Sequence, residues 1–185
     1  MGSDDATVLI ADDEQAVADV YALRLRDRYE ARTAYGGRDA LEAIDETVDV
    51  VLLDRRMPAL SGDDVLTEIR DRDLDCRVVM LTAVDPDIDI LELPFDDYLC
   101  KPVEKSDLVD AIDQQLAARQ YDDRLSEYMH VTSKLALLEA ESDADHDEVE
   151  SLRERADELQ AELDDTLASL EDIEAAFREI ERRPN

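Results

Sequence analysis

Two cysteines, Cys76 and Cys100, are all that the 185 residues contain. That is too few for a disulfide framework, and with two histidines and no His/Cys cluster there is no spacing that suggests zinc. Lysine is nearly as scarce, at positions 101, 105 and 134 only, the other basic residues being arginine. No apolar run approaches the roughly 18 residues of a membrane span. The start, MGSDDATVLIADDE, has neither a basic n-region nor a long apolar h-region, so no secretory leader is expected. These absences lead to the expectation of a reduced, cytoplasmic protein without a membrane partner.

What is abundant is negative charge. Against 20 Lys+Arg stand 51 Asp+Glu, a formal net charge of −31 at pH 7. Binding to bare nucleic acid depends on cations that neutralise phosphates, and this balance opposes it. The acids interleave with apolar residues, and the hydrophobic share of 44% excludes wholesale disorder. An acid-rich, lysine-poor surface suits work in very high salt, where screening shortens the range of self-repulsion. The length fits one domain of about 100–150 residues with an appendage, or two small domains.

The first 105 residues alternate between short apolar runs and helical stretches. Thr7 to Ala11, Tyr29 to Tyr35, Val48 to Leu53, Val78 to Leu81 and Tyr98 to Cys100 read as strands. Between them, Glu14 to Arg28, Asp39 to Asp45 and Asp63 to Arg70 read as helices, and a short fourth helix is expected in the stretch holding Pro86 and Pro94. Ser106 is the expected N-cap of the helix that follows. Strands alternating with helices imply a parallel sheet, and runs without alternation imply strands covered on both faces. Right-handed crossovers then give an α/β fold, a doubly wound five-stranded parallel sheet, with ligands at the carboxyl ends of its strands.

That placement makes the strand-end polar residues informative. Asp12 and Asp13, Asp54, Thr82 and Lys101 follow four of the five strands and should share one sheet edge. Crowded carboxylates repel, and a hard divalent cation relieves them; all-oxygen ligands suit Mg²⁺. A lysine ammonium and a threonine hydroxyl on the same rim are donors to phosphoryl oxygens. An aspartate in that setting can accept a phosphoryl group. The set therefore fits phosphoryl transfer onto a carboxylate.

The pieces VLIADDE (8–14), VVLLDRRMPALSG (50–62), VVMLTA (78–83) and DDYLCKPV (96–103) resemble, in order and spacing, a two-component response-regulator receiver domain over residues 7–118, of flavodoxin-like fold. The resemblance implies that Asp54 is phosphorylated by a partner sensor histidine kinase. It implies that Asp12, Asp13, Asp54 and the backbone carbonyl of Arg56 hold Mg²⁺. It assigns the conserved hydroxyl to Thr82, the lysine to Lys101 and the aromatic switch to Tyr98, and it ties Arg56 and Val84 to the lifetime of the phosphoryl group. Such a chain is a phosphoacceptor that acts catalytically only on its own phosphorylation and dephosphorylation. A haloacid-dehalogenase-type phosphatase would need a second acid two residues after the nucleophile, where Arg56 stands.

The remainder, 119–185, reads as an acidic helical domain with a turn near 141–148, where ESDADHDE carries no apolar residue larger than Ala144. The helix beginning near residue 106 either runs on or restarts near Tyr121. Leu125, Tyr128, Thr132, Leu135 and Leu138 step by three or four. Val149, Leu152, Ala156, Leu159, Leu163, Leu170, Ile173, Phe177 and Ile180 follow a heptad, with Thr166 or Leu167 in the remaining place. An α-helical hairpin or coiled coil is expected, antiparallel within the chain or as a parallel dimer through the second helix. Residues 121–185 hold 7 Lys+Arg against 21 Asp+Glu and offer no basic recognition stripe. Receiver plus acidic helical tail resembles the HalX-type response regulators of haloarchaea. The resemblance implies transcriptional regulation, with a homodimer or the transcription machinery as partner and direct DNA binding left open; the alternative is a signalling adaptor that binds proteins and no DNA.

Overall fold

The computed structural model describes residues 6–83, 93–140 and 146–181, with side chains described to residue 168. The chain divides into two compact units, Met1–Leu116 and Ala117–Asn185.

The first unit holds β1 (Thr7–Ala11), α1 (Gln15–Leu25), β2 (Glu30–Ala34), α2 (Gly37–Ala43), β3 (Val50–Asp54), α3 (Gly62–Asp71), β4 (Arg77–Thr82) and β5 (Asp97–Cys100). The five strands are all parallel, in the order β2-β1-β3-β4-β5. Side chains alternate across the sheet. Val8, Ile10, Val50, Leu52, Val79 and Leu81 enter one core with Ala18, Tyr21 and Leu25 of α1 and Leu108 and Ile112 further on. Leu9, Ala11, Val51, Leu53, Val78 and Met80 enter the other, with Ala40 of α2 and Val65, Leu66 and Ile69 of α3. Burying a Leu or Ile side chain contributes about 1.5–3 kcal/mol, so two filled faces explain the near-continuous apolar runs. The doubly wound fold expected from those runs is the fold observed.

Several local boundaries differ from the sequence reading. Asp54 and Thr82 are the last residues of β3 and β4 rather than the first beyond them. Val20 and Leu23 of α1 face outward, because Ala18, Tyr21 and Leu25 already fill the core side. The stretch 84–92, where the short fourth helix was expected, lies outside the described residues. Ser106 is not the N-cap. Helix α4 (Lys105–Glu139) starts two residues before that cap would allow and includes Ser106, and the Asp107 carboxylate accepts the Glu104 N–H at 3.0 Å. Helix α3 begins with a reciprocal cap: the Ser61 hydroxyl accepts the Asp64 N–H at 3.2 Å and the Asp64 carboxylate accepts the Ser61 N–H.

The amino ends of β4 and β5 are tied through Asp96. Its carboxylate accepts the Val78 N–H at 2.6 Å, Arg70 Nη2 at 2.7 Å and Arg77 Nη1 at 3.0 Å. Arg70 also donates to the carbonyls of Cys76 at 2.8 Å and Pro94 at 3.0 Å.

In the second unit, α4 continues without restarting at Tyr121, and α5 (His146–Glu181) returns beside it. The start of α5 at His146 makes residues 146–148 helical; residues 141–145 of the expected turn lie outside the described residues. Val149, Ala156, Leu159 and Leu163 are buried, and Leu125, Tyr128, Thr132, Leu135 and Leu138 are half-buried. Thr166 holds the open heptad place, accepting Arg124 Nη1 at 3.1 Å, while Leu167 is exposed. The pairs Arg124–Glu162, Glu127–Arg155 and Lys134–Glu148 run in opposite sequence directions, which makes the hairpin antiparallel. Among the described residues no helix is long and apolar enough to cross a membrane.

Candidate functional site

Parallel strands in register end together. Ala11 of β1 pairs with Leu53, Asp54 of β3 with Leu81, and Thr82 of β4 with Cys100. The residues at these carboxyl ends must therefore share one edge. Asp12 is 1% exposed and Asp54 7% exposed. Lys101 Nζ donates to Asp12 Oδ2 at 2.7 Å and to Asp54 Oδ1, one cation between two buried carboxylates. The Glu14 N–H donates to Asp12 Oδ1 at 2.9 Å and the Arg56 N–H to Asp54 Oδ2 at 3.0 Å. Asp13 is exposed, and one carboxylate oxygen each from Asp12, Asp13 and Asp54 lies within 4.8 Å of the others.

The electrostatics follow from this packing. Burial pushes the Asp54 carboxyl above its ordinary range, against the hydrogen bond and charge of Lys101 and with the charge of Asp12. Burial also opposes the charge on Lys101. The hydrogen bonds to Asp12 and Asp54 outweigh it, so the ammonium is held above its usual value. Two desolvated carboxylates share one cation, and the exposed Asp13 leaves the cluster open to solvent. Three carboxylates and no nitrogen or sulfur ligand form a donor set for a hard divalent ion.

The structure thus brings Asp12, Asp54 and Lys101 into direct contact and sets Asp13 within shared-ligand reach. Thr82 is buried at the end of β4, and its carbonyl accepts the Lys101 N–H at 2.7 Å. Tyr98 is not among these groups: it is 37% exposed on β5, with its ring edge-on to Phe95 at 6.3 Å between centroids. Two supporting residues escaped the sequence reading. A Cβ on Gly62 would lie 2.3 Å from the Asp54 carbonyl oxygen, so the chain returns against the backbone of Asp54 itself. The signal was a glycine at the start of a helix, just after the Ser61 cap. Arg24 Nη1 donates to the Val103 carbonyl at 2.9 Å, tying α1 to the loop just after Lys101. The peptide between Lys101 and Pro102 is cis.

An acidic cluster and a lysine at the carboxyl edge of a five-stranded doubly wound sheet define a receiver domain. The chain belongs to the response regulator receiver domain family, whose model matches residues 8–113, and residues 117–180 match the HalX domain. A Haloferax volcanii protein provisionally named a transcriptional regulator is 48% identical over 148 residues, which is 80% of this chain; the chain spans 24% of that relative. The response regulator receiver domain protein of Clostridium thermocellum is 32% identical with a TM-score of 0.58, over 62% of this chain and 97% of that one. The chemotaxis protein CheY4 of Vibrio cholerae is 26% identical with a TM-score of 0.56, over 59% of this chain and 97% of that one.

Proposed function

We propose that Asp54 is the phosphoacceptor of a two-component response regulator and that a sensor histidine kinase supplies the phosphoryl group. The observation that carries this reading is the Asp54 carboxylate, buried at the sheet's carboxyl edge and hydrogen bonded by Lys101 and the Arg56 N–H. An Asp54 oxygen attacks phosphorus in line; the P–N bond of the phosphohistidine breaks as the P–O bond forms, and the departing imidazole nitrogen keeps the electron pair and takes a proton. Lys101, already charged, neutralises the growing negative charge, and the Thr82 hydroxyl supplies a donor to a phosphoryl oxygen. The all-carboxylate cluster fits Mg²⁺, which Asp12, Asp13, Asp54 and the Arg56 carbonyl would hold. The ion would supply charge neutralisation at the phosphoryl oxygens. Phosphorylation then favours the state in which Lys101 and Thr82 face the phosphoryl group and Tyr98 leaves its exposed position.

The output passes to the helical hairpin. Transcriptional regulation is the reading that the name of the Haloferax volcanii relative supports. The second reading, an adaptor that binds signalling proteins and no DNA, is favoured by 7 Lys+Arg against 21 Asp+Glu in residues 121–185. Recovery of specific promoter fragments with the protein in concentrated KCl supports the first; recovery of signalling proteins alone supports the second.

Asp54→Asn tests the site directly. Label transferred from a kinase should be labile to acid and base in the wild type and absent in the variant. Persistent labelling would place the acceptor elsewhere.

A further inference from the structure

The outer side of α4 is the part of the second unit least like the rest of the chain. Ser126, Met129, Ser133, Ala136 and Ala140, the last just past the helix end, are all exposed and step by three or four. His130 and Leu137 flank this line, also exposed. None carries a formal charge at pH 7, in a chain whose charged fraction is 38%. The charged residues beside the line are turned toward α5: Glu127 to Arg155 at 2.8 Å, Lys134 to Glu148 at 3.0 Å, and Glu139 to Arg153. The exposed side of α5, by contrast, presents Glu150, Glu154, Asp157 and Asp164. Large apolar groups stand in water on this neutral face, Met129 at 61% and Leu137 at 70% exposure.

The line is also symmetric about Ser133. Two pairs of like groups stand at equal distances on either side of it, Met129 and Leu137 four residues away and Ser126 and Ala140 seven. Self-association about a two-fold axis needs a surface complementary to itself. Bulky groups at mirrored positions, with small ones at the centre and ends, meet that need when two such helices cross antiparallel. Steps of three and four are the seam of a coiled coil, here about 21 Å long at 1.5 Å per residue.

We propose that two copies of this chain pair through the outer face of α4, antiparallel about Ser133, with Met129 of each copy packed against Leu137 of the other. The occupant is a second copy because the surface mirrors itself and carries no charge. A basic partner finds nothing there to pair with and is drawn to the α5 side instead. Two chains of net charge −31 repel, so pairing requires salt. In about 1 M salt the screening length is roughly 3 Å, and only the contact face remains decisive.

Sedimentation equilibrium of the full chain across a wide concentration range tests this. In about 1 M KCl the mass should double at high concentration, and the doubling should vanish at low ionic strength. The substitutions Met129→Glu and Leu137→Glu together should abolish the doubled mass while helical circular dichroism is kept. In a Cys100→Ser background, Ser133→Cys should form a disulfide-linked dimer on oxidation, and Glu150→Cys, on the exposed side of α5, should not. A single-chain mass at every concentration and salt overturns the proposal. So does a dimer that survives both glutamate substitutions, or a different protein bound to this face while the chain stays monomeric.

Discussion

Replacing Gly62 with alanine sets two effects of opposite sign against each other. Gly62 is the first residue of α3, and at a helical position alanine is favoured over glycine by about 0.4–1 kcal/mol, partly through the unfolded chain. The added Cβ, however, would lie 2.3 Å from the Asp54 carbonyl oxygen and 2.8 Å from Arg55 Cα. Both are backbone atoms, of the last residue of β3 and the residue after it, so no side chain can swing aside. Overpacking of this kind costs about 1–3 kcal/mol, which exceeds the helix gain. Gly62→Ala should therefore destabilise the protein by about 1–2 kcal/mol in urea melts. It should also slow phosphoryl labelling, because the atom displaced belongs to Asp54. Gly37→Ala is the matched control. Its Cβ would meet the Leu60 carbonyl at 2.5 Å, so stability should fall while labelling of the folded protein changes far less. A Gly62→Ala variant more stable than wild type and labelled at the normal rate would refute the reasoning.

Two further outcomes follow from the same site and from β5. Lys101→Met leaves Asp12 and Asp54 buried without their shared cation, and loss of one partner of a buried pair costs about 3–5 kcal/mol; the urea midpoint in metal-free buffer should drop accordingly, and an unchanged midpoint would deny the ion pair its structural role. Asp97 is raised above its ordinary 3.8 chiefly by burial, against hydrogen bonds from the Tyr98 N–H and Gln115 and with the charge of Asp96. Below the ordinary value both folded and unfolded chains hold the proton. Between it and the raised native value only the folded chain does, so stability falls as pH rises through that window and the whole penalty is present at neutral pH. Asp97→Asn should raise the Tm at pH 7 and lose that advantage near pH 3; a gain that grows on acidification would reverse the sign.

The sheet and the contact of Asp12, Asp54 and Lys101 were legible because they rest on rules with few exceptions. Apolar runs without alternation need cover on both faces, and parallel strands must end together. Asp54 and Lys101, forty-seven positions apart, meet through those two facts. The hairpin's inner seam was legible from its spacing of three and four. What escaped depended on neighbours that no local pattern names. Val20 and Leu23 are apolar yet exposed, because Ala18, Tyr21 and Leu25 fill the core face of α1. Ser106 looks like a cap, but the Asp107 carboxylate reaches the Glu104 N–H first. Gly62 looks like a loop residue, and only the path of the returning chain shows what a side chain there would strike.

The Asp96 junction bears on where the β5 edge can yield. Val78, Arg70 and Arg77 anchor Asp96 at the amino end, and Arg70 adds the carbonyls of Cys76 and Pro94. Sliding β5 by one residue would break those Asp96 contacts together, so the strand is held in register like a door hung on one side. At the opposite end Lys101 is held by Asp12 and Asp54, the same carboxylates that a metal ion or phosphoryl group would engage. Exchange of its partners there would release the side-chain tie at this end, where the Thr82 carbonyl still accepts the Lys101 N–H at 2.7 Å. Loosening at this edge would thus begin at the Lys101 end and leave the Asp96 contacts in place.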